Sequence, residues 1–288
     1  MPDPIGTFPS RMQRPITRAD EPMTMPRSRT TLHTVLALAA VVACPHGPLA
    51  AQGTQPAAQP PRQTPEQAAA AWRKAEDERM RTDWPNLARY REANAALGAP
   101  KPGEVRVVFM GNSITEGFAP HFATLFPGKP YVGRGISGQT SPQMLLRFRQ
   151  DVVALKPAVV VINAGTNDIA GNTGPSTLEM TEDNIASMAE IARANGIRVV
   201  LGSVLPAADF PWKPGVEPAP KIVALNAWMR DYAARTHAVY LDYHSAMKDA
   251  RNGLPASLSG DGVHPNEAGY RIMAPLAERA IAEALAPR

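Results

Sequence analysis

The sequence predicts an α/β protein, a three-layer α/β/α sandwich around a five-stranded parallel sheet. Short apolar runs rich in β-branched residues, typical of buried strands, alternate with longer segments typical of helices. Asn195-Gly196 ends one predicted helix and leads directly into the next apolar run, as a β-α-β unit requires. Such alternation favours parallel strands with helices packed on both faces of the sheet.

The strands and helices of this sandwich are all predicted within residues 105–288. The strands are expected at 105–110, 158–163, 198–204 and 238–242, with a short stub at 131–132. The helices are expected at 143–155, 178–195, 220–236 and 266–286.

One connection, PAADFPWKPGVEP at 206–218, is long and rich in proline, and it carries Phe210 and Trp212. It follows the C-terminal end of a strand, so we expect it to overhang a site there. Packing of the two aromatic rings within the loop itself is the alternative.

The chain before this domain divides into three segments by composition. Residues 1–51 resemble an upstream segment followed by a secretory signal. Residues 52–65, rich in Pro, Gln and Ala, are expected to be a disordered linker. Residues 66–104 are predicted to form a helical brace packed on the domain, with helices at 66–80 and 86–97.

Three adjoining features predict the secretory signal. Basic residues from Arg27 precede an apolar run at 32–42, and small residues follow up to Ala51. The apolar run is too short to span a bilayer, so no integral membrane segment is expected in a mature chain cut after Ala51. We therefore expect an exported protein, periplasmic or secreted, whose translation starts at Met23 or Met25.

Cys44, the only cysteine of the chain, leaves an alternative open. The run Val41-Val42-Ala43-Cys44 also fits the cleavage site of a bacterial lipoprotein. Cleavage after Ala51 would leave a mature chain without cysteine, whereas lipidation at Cys44 would anchor the protein to a membrane.

The pI of about 9.3 does not indicate a nucleic-acid partner. Residues 1–51 hold five of the 30 basic and three of the 26 acidic residues, so the remainder is close to neutral. It also lacks a basic stripe interleaved with aromatic residues, the usual footprint of nucleic-acid binding.

The segment VRVVFMGNSITEG at 105–117 predicts a buried strand that ends in a tight turn at Gly111. Ser113 then starts a helix, where unpaired N–H groups and the positive end of the helix dipole favour developing negative charge. A serine in this place is either a nucleophile or the N-cap of the helix, and the segment alone leaves both open.

The segment SGDGVHPNEAGYRIM at 259–273 places Asp261 three residues before His264 in a turn marked by Gly and Pro. A serine becomes nucleophilic when a base removes its proton and a carboxylate orients that base. Asp261 and His264 could supply both groups. The alternative is a surface turn in which Asp261 binds backbone N–H groups and Asn266 starts the last helix.

Two further strand ends carry groups that could stabilise an oxyanion. VGRGISGQTSP at 132–142 is a Gly-rich turn able to present backbone N–H groups at Gly138, and VVVINAGTNDIAG at 159–171 delivers Asn167. Open α/β sheets bind ligands outside the carboxyl ends of their strands, so we expect Ser113, Gly138 and Asn167 to lie close together.

These four blocks resemble those of the SGNH, or GDSL-type, esterases and lipases, and they occur in the family's order over residues 105–286. GNSIT corresponds to the first block and implies Ser113 as the nucleophile. GISGQT and GTND imply that Gly138 and Asn167 form the oxyanion hole with the N–H group of Ser113. DGVHP implies Asp261 and His264 as the remaining members of a catalytic triad.

The resemblance also implies the flavodoxin-like SGNH hydrolase fold for a catalytic domain at 105–288, and a reaction that needs no metal or organic cofactor. One position departs from the family pattern: Asn112 stands where the family has Asp. Because that position is not a triad member, we expect the change to affect substrate preference rather than the reaction.

Three other motifs are weaker. Gly133 to Gly138 match G-x-G-x-x-G, but the next predicted strand ends at Asn163 without the acidic residue that would bind a ribose. Thr115 stands where G-x-S-x-G needs its second glycine, which argues against an α/β-hydrolase elbow. No further His or Cys with metal-ligand spacing accompanies His264.

The sequence thus predicts an exported serine esterase that removes short acyl groups, such as acetyl, from a small-molecule or polysaccharide carbohydrate ester. A lysophospholipase or a broad-specificity acyl-ester hydrolase is the alternative, and a non-catalytic carbohydrate-binding module is a third. Residues expected to contact substrate flank the oxyanion hole or lie on the long loop: Asn112, Arg134, Gln139, Asp168, Phe210 and Trp212.

Overall fold

The computed structural model describes residues 64–287. The predicted start site, secretory signal and Cys44 lie outside the described residues, as does most of the predicted linker.

Every neighbouring pair of strands in the sheet is parallel. The strands are β1 (Val107–Gly111), β2 (Tyr131–Gly135), β3 (Val159–Asn163), β4 (Arg198–Gly202) and β5 (Val239–Leu241). Their order across the sheet is β2-β1-β3-β4-β5. The predicted five-stranded parallel sheet is therefore confirmed. The stub expected at 131–132 is a full strand, because β2 pairs with β1 from Tyr131 to Gly135.

The helices of residues 64–287 follow and precede these strands along the chain. They are α1 (Pro65–Thr82), α2 (Arg91–Leu97), α3 (Ser113–Phe118), α4 (Phe122–Leu125), α5 (Ser141–Asp151), α6 (Thr166–Ala170), α7 (Leu178–Ala194), α8 (Pro218–Thr236), α9 (Tyr243–Met247) and α10 (Glu267–Leu285). Single 3-10 turns lie at Ala119–His121 and Val153–Leu155. None of these helices has both the length and the apolar composition that a membrane crossing requires.

The side chains of the strands contribute to two hydrophobic cores, one on each face of the sheet. Successive side chains of a strand point to opposite faces, so Val108 and Met110 enter one core while Val107 and Phe109 enter the other. The first core also holds buried residues of α5, α7 and α8, and the second holds those of α3, α4, α9 and α10. Helices thus cover both faces of the sheet, which confirms the three-layer sandwich.

The short helices α3, α4, α6 and α9 were not predicted as separate elements, apart from the helix start at Ser113. Each has four to six residues. That is less than two turns, too short for a 3.6-residue periodicity to show in the sequence.

The segment before β1 is hydrogen-bonded to α5. Three side-chain amides make these bonds: Asn94 Nδ2 donates to Asp151 Oδ1 at 2.7 Å, Gln143 Nε2 to the carbonyl of Trp84 at 2.7 Å, and Gln150 Nε2 to the carbonyl of Leu87 at 2.7 Å. Contacts of this kind agree with a brace, and the boundary between residues 104 and 105 stays a prediction.

The second helix of this segment begins at Arg91, not at residue 86 as predicted. Asn86 has a φ of 55°, in the left-handed region that a helix cannot contain. The Asp83 carboxylate accepts the N–H groups of Leu87 and Ala88, and it holds residues 87–90 as turns.

Gly135, at the end of β2, lets α3 approach the sheet. A Cβ at this position would lie 2.1 Å from the backbone nitrogen of Glu116 and 2.6 Å from the carbonyl oxygen of Asn112. We expect Gly135→Ala to lower the free energy of unfolding by about 1–3 kcal/mol or more, because backbone atoms cannot move aside as a side chain can. Urea denaturation measures the change.

Gly260→Ala is the matched control, since nothing lies within 4 Å of a Cβ there and its φ is not in the left-handed region. Equal stability of the two variants would contradict the proposed close contact between α3 and β2.

Candidate active site

Three neighbouring strand ends bring the predicted groups together. β1 lies between β2 and β3, and the segments that follow these strands carry Ser113, Gly138 and Asn167. A cavity of about 300 Å³ lies at this edge of the sheet. Its lining residues are Ser113, Ser137, Gly138, Asn167, Asn172, Trp212 and His264. We call it the catalytic cavity.

Asn112, not Ser113, caps helix α3. The side-chain oxygen of Asn112 accepts the N–H group of Ile114 at 3.0 Å, and Ser113 is the first residue of the helix. The hydroxyl of Ser113 is therefore not used for capping. It lies 2.9 Å from Nε2 of His264.

The loop before α10 holds His264 and Asp261 as one unit. Nδ1 of His264 lies 2.6 Å from Oδ2 of Asp261. The other carboxylate oxygen, Oδ1, accepts the backbone N–H groups of Val263 at 2.9 Å and His264 at 2.8 Å. The same oxygen accepts the hydroxyl of Ser259 at 3.0 Å. Because the carboxylate can only accept, Nδ1 carries the ring proton, and Nε2 is left to accept the proton of Ser113.

These bonds also fix the charge of Asp261. Partial burial acts to raise the pKa of its carboxyl, but the bonds from the His264 ring and from two backbone N–H groups outweigh burial. They hold the pKa of Asp261 well below its ordinary value. Asp261 is thus an anion wherever an imidazole can act as a base.

Backbone N–H groups converge beside Ser113. Gly138 has a φ of 77°, a left-handed conformation that glycine adopts without a steric penalty. The preceding residue is fixed because Ser137 donates its backbone N–H and its hydroxyl to Glu116. Within residues 64–287, the N–H groups of Ser113 and Gly138 have no hydrogen-bond acceptor. Both can therefore bind an oxyanion.

The amide of Asn167 has one N–H left for the cavity. A side-chain amide has two N–H donors, and Asn167 uses one of them on the carbonyl of Gln139 at 2.9 Å. Its oxygen accepts the side-chain N–H of Asn172 at 3.0 Å. The plane of the amide is held from both sides, and its second N–H has no acceptor within residues 64–287. Asn167 lines the same cavity as Ser113 and Gly138.

Asn172 was not predicted from the sequence. Its side-chain nitrogen also lies 3.3 Å from the carbonyl oxygen of Gly138, and its side-chain oxygen accepts the indole N–H of Trp212 at 3.0 Å. Its only sequence signal is a position one residue beyond Gly171, the αL residue that ends α6. Turn asparagines in that position are too common to indicate a role.

The two aromatic residues of the long loop have separate places. Phe210 is fully buried, and its ring stacks on that of Trp212 with centroids 5.0 Å apart. Trp212 is 41% exposed and lines the catalytic cavity, with its ring centroid 6.1 Å from that of His264. Of the two rings, therefore, only Trp212 can overhang the site as expected, because Phe210 has no exposed surface with which to contact a substrate.

Four other side chains expected at the substrate are instead internal, each at most 6% exposed: Asn112, Arg134, Gln139 and Asp168. Asn112 is the helix cap already described. Arg134 donates to Asn94 Oδ1 and lies over the ring of Tyr90. The sequence places these residues beside the site, but their side chains are buried and bonded within the protein, except that Nδ2 of Asn112 is buried without a hydrogen-bond partner.

Gln139 and Asp168 hold the loops of the site. Oε1 of Gln139 accepts Nε of Arg147 at 2.5 Å. Asp168 accepts both the backbone N–H and the hydroxyl of Ser141, at the start of α5. Burial raises the pKa of Asp168 although these bonds act against the rise.

No cluster of three or more His, Cys, Asp or Glu side chains in residues 64–287 has a metal-binding arrangement.

Residues 109–272 match the GDSL-like Lipase/Acylhydrolase family. The match covers more than half of the chain, and the chain therefore belongs to this family of carboxylic ester hydrolases. The predicted family and fold are confirmed.

Similarity to particular proteins varies in extent. A GDSL-like lipase from Bacteroides thetaiotaomicron is 51% identical, with a TM-score of 0.68 over 70% of this chain and 100% of that chain. Esterase TesA of Pseudomonas aeruginosa is 33% identical over 135 residues, 46% of this chain and 60% of TesA. An acetylxylan esterase of Xylanibacter ruminicola is 26% identical over 224 residues, 65% of this chain and 45% of that protein. The chain thus spans about half the length of these two curated relatives.

The low pKa of Asp261 predicts a contribution to stability that acid removes. Because the pKa is lower in the folded state, the contribution is complete above the ordinary value of 3.8, begins to be lost as the pH falls below that value, and is fully lost only below the folded-state pKa. We expect the wild type to lose more unfolding free energy than Asp261→Asn between about pH 6 and pH 3. Urea denaturation at each pH measures both.

Asp183→Asn, at an exposed position on α7, is the control and should follow the wild type. Parallel stability curves for the wild type and Asp261→Asn would show that the Asp261–His264 contact does not stabilise the fold.

Proposed function

We propose that this protein is a serine esterase that works through Ser113, His264 and Asp261. One observation carries the proposal: a continuous line of hydrogen bonds runs from the hydroxyl of Ser113 through the His264 ring to the Asp261 carboxylate. The separations of 2.9 Å and 2.6 Å are those at which a base can take a proton and a carboxylate can orient that base.

The reaction has two halves. His264 removes the proton of Ser113 as Oγ attacks the ester carbonyl, and the negative charge passes to the carbonyl oxygen. The N–H groups of Ser113 and Gly138 and the free N–H of Asn167 then bind this oxyanion. His264 returns the proton to the leaving alcohol, and an acyl-enzyme remains on Ser113. Water activated by His264 releases the acid by the same steps.

Asn172 acts in this scheme through other residues. It fixes the amide plane of Asn167, it contacts the carbonyl oxygen of Gly138, and it accepts from Trp212. Its role is to keep two oxyanion donors in place before the substrate arrives.

We further propose short acyl esters of carbohydrate as the substrates. The catalytic cavity is small, and the exposed ring of Trp212 at its wall suits stacking on a sugar. The similarity to an acetylxylan esterase supports the same choice. A lysophospholipase or broad-specificity esterase is the second candidate, favoured by the similarity to a GDSL-like lipase and to esterase TesA.

Export stays part of the proposal, because a polysaccharide substrate is met outside the cytoplasm. It rests on the sequence pattern of residues 1–51. Anchoring through Cys44 is its alternative.

Ser113→Ala should lower the rate of p-nitrophenyl acetate hydrolysis by several orders of magnitude, because the acyl-enzyme can no longer form. A fluorophosphonate probe should label the wild type and not this variant. Ser245→Ala, at an exposed position on α9, serves as the control and should keep both activity and labelling.

Hydrolysis by Ser113→Ala at the wild-type rate would overturn the mechanism. A wild type that neither hydrolyses esters nor reacts with the probe would favour the third alternative, a carbohydrate-binding module.

Trp212→Ala should raise KM for an acetylated xylo-oligosaccharide about 2- to 10-fold. This increase corresponds to the loss of an aromatic contact worth about 0.5–1.5 kcal/mol. The ring contacts the alcohol portion, so binding is lost equally from the ground and transition states. Trp212→Phe separates this effect from loss of the indole bond to Asn172, because it keeps a ring without the N–H donor.

Steady-state kinetics on the glycan ester and on p-nitrophenyl acetate measures these effects. If Trp212→Ala lowers kcat on both substrates and leaves KM unchanged, the ring supports the oxyanion hole and does not bind sugar.

A further inference from the structure

A second cavity, of about 420 Å³, adjoins the catalytic cavity. The two share Ser137, Gly138, Asn172 and Trp212 in their walls. Another part of the wall comes from α1, through Glu76, Arg79 and Met80. We call this second cavity the α1 cleft. Helix α1 ends at Thr82, before the family-matched residues begin at 109, so this wall is an addition to the matched region.

The polar groups of the α1 cleft are held in place. Nε of Arg79 donates to Oε2 of Glu76 at 2.9 Å, and Nη1 donates to the carbonyls of Asp83 and Trp84 at 3.2 Å and 3.1 Å. Glu76 is thereby fixed on the helix surface, yet a carboxylate has more lone pairs than one arginine uses. A ligand that binds there would not have to order these side chains first.

Lys213 follows Trp212 on the long loop and adds a hydrogen-bond donor to the wall of the α1 cleft. It is exposed, and its ammonium group makes no hydrogen bond or ion pair with any residue between 64 and 287. Glu76 and Lys213 thus offer an acceptor and a donor in one cleft, which is the combination that sugar hydroxyls can use.

An acyl chain has little to bind in this cleft. Met80 is the only aliphatic side chain that lines the cleft. Apart from Met80 and Trp212, the lining residues are polar, charged or glycine. Burial of a long acyl chain needs apolar area, which this lining does not provide.

The alcohol portion of a substrate is the part directed toward the α1 cleft. His264 returns its proton to the leaving alcohol, so that portion lies beside His264. Trp212 is next to His264 and borders both cavities. The α1 cleft is therefore the neighbouring cavity that an alcohol portion longer than one sugar can enter past Trp212.

We propose that the α1 cleft is a subsite for a second sugar residue, and that the enzyme prefers acylated oligosaccharides to acylated monosaccharides. This inference rests on the proposed esterase function. The sugar beyond the acylated one donates hydroxyl hydrogen bonds to Glu76 and accepts a hydrogen bond from Lys213. The ring of Trp212 lies at the boundary between the two sugar positions and stacks on the substrate there.

The test compares kcat/KM for acetylated xylotriose and acetylated xylose. The wild type should favour the trisaccharide about tenfold. In Glu76→Gln and in Lys213→Ala, we expect this ratio to fall about three- to tenfold. The first variant replaces a charged acceptor by a weaker neutral one, and the second removes the donor. Because both rates are measured on the same variant, a general loss of active enzyme leaves the ratio unchanged.

Glu78→Gln is the matched control. Glu78 pairs with Arg81 on the same helix and at the same spacing as Glu76 with Arg79, but it does not line the cleft. Its ratio should equal that of the wild type. The inference is overturned if the wild type shows no preference for the trisaccharide, or if the ratio is unchanged in both cleft variants. Faster hydrolysis of a lysophospholipid than of acetylated xylotriose would likewise overturn a glycan occupant.

Failure of the proposed esterase function is a separate result, seen as a wild type inactive on p-nitrophenyl acetate. Calorimetric binding of acetylated xylotriose to Ser113→Ala tests the subsite without hydrolysis. Binding should weaken about three- to tenfold when Glu76→Gln is added, and equal affinity would overturn the subsite.

Discussion

The buried guanidinium of Arg147 is the interaction on which the geometry of the site depends. It donates to the carbonyl of Gly111 at 2.9 Å, to Oε1 of Gln139 at 2.5 Å and to the carboxylate of Asp151 at 3.0 Å. Gly111 ends the strand that delivers Ser113, and Gln139 belongs to the loop that supplies an oxyanion donor. One fully buried cation therefore fixes the strand that leads to Ser113 and the loop that carries Gly138 relative to each other. Removing one partner of such a pair typically costs about 3–5 kcal/mol, because a buried charge is left uncompensated.

A second chain of bonds links the substrate wall to the oxyanion hole. Trp212 donates to Asn172, and Asn172 donates to Asn167. The wall that would meet the sugar and the amide that would meet the oxyanion thus share one support. A side-chain amide has two N–H donors. Because Asn167 uses one of them within the protein and its oxygen is also bound there, one direction is left for the second N–H. The hole is formed before any substrate binds.

The layered fold could be predicted because local patterns determine it. The predicted strands carry apolar side chains on both faces of the sheet, so helices must cover both faces. The helical connections between successive strands predict that the strands are parallel. The short helices α3, α4, α6 and α9 could not be predicted as elements, since tertiary contacts rather than periodicity form them. The turn that delays α2 to Arg91 depends on the Asp83 carboxylate, which a propensity argument does not include.

For the site, the sequence by itself determined which residues the proposed chemistry uses. Ser113, Gly138, Asn167, Asp261 and His264 follow from four short blocks, and the fold places all but Asp261 around one cavity, with Asp261 bonded to the His264 ring. Only the tertiary structure decided which neighbouring side chains reach that cavity. Asn112, Arg134, Asp168 and Phe210 stand beside the motifs in the sequence yet line neither cavity, and Gln139 borders only the α1 cleft. Asn172 and three side chains of α1 line the cavities instead. The reason is physical: the reacting groups lie where strands end, which the chain order specifies, whereas burial depends on packing between segments far apart in the sequence.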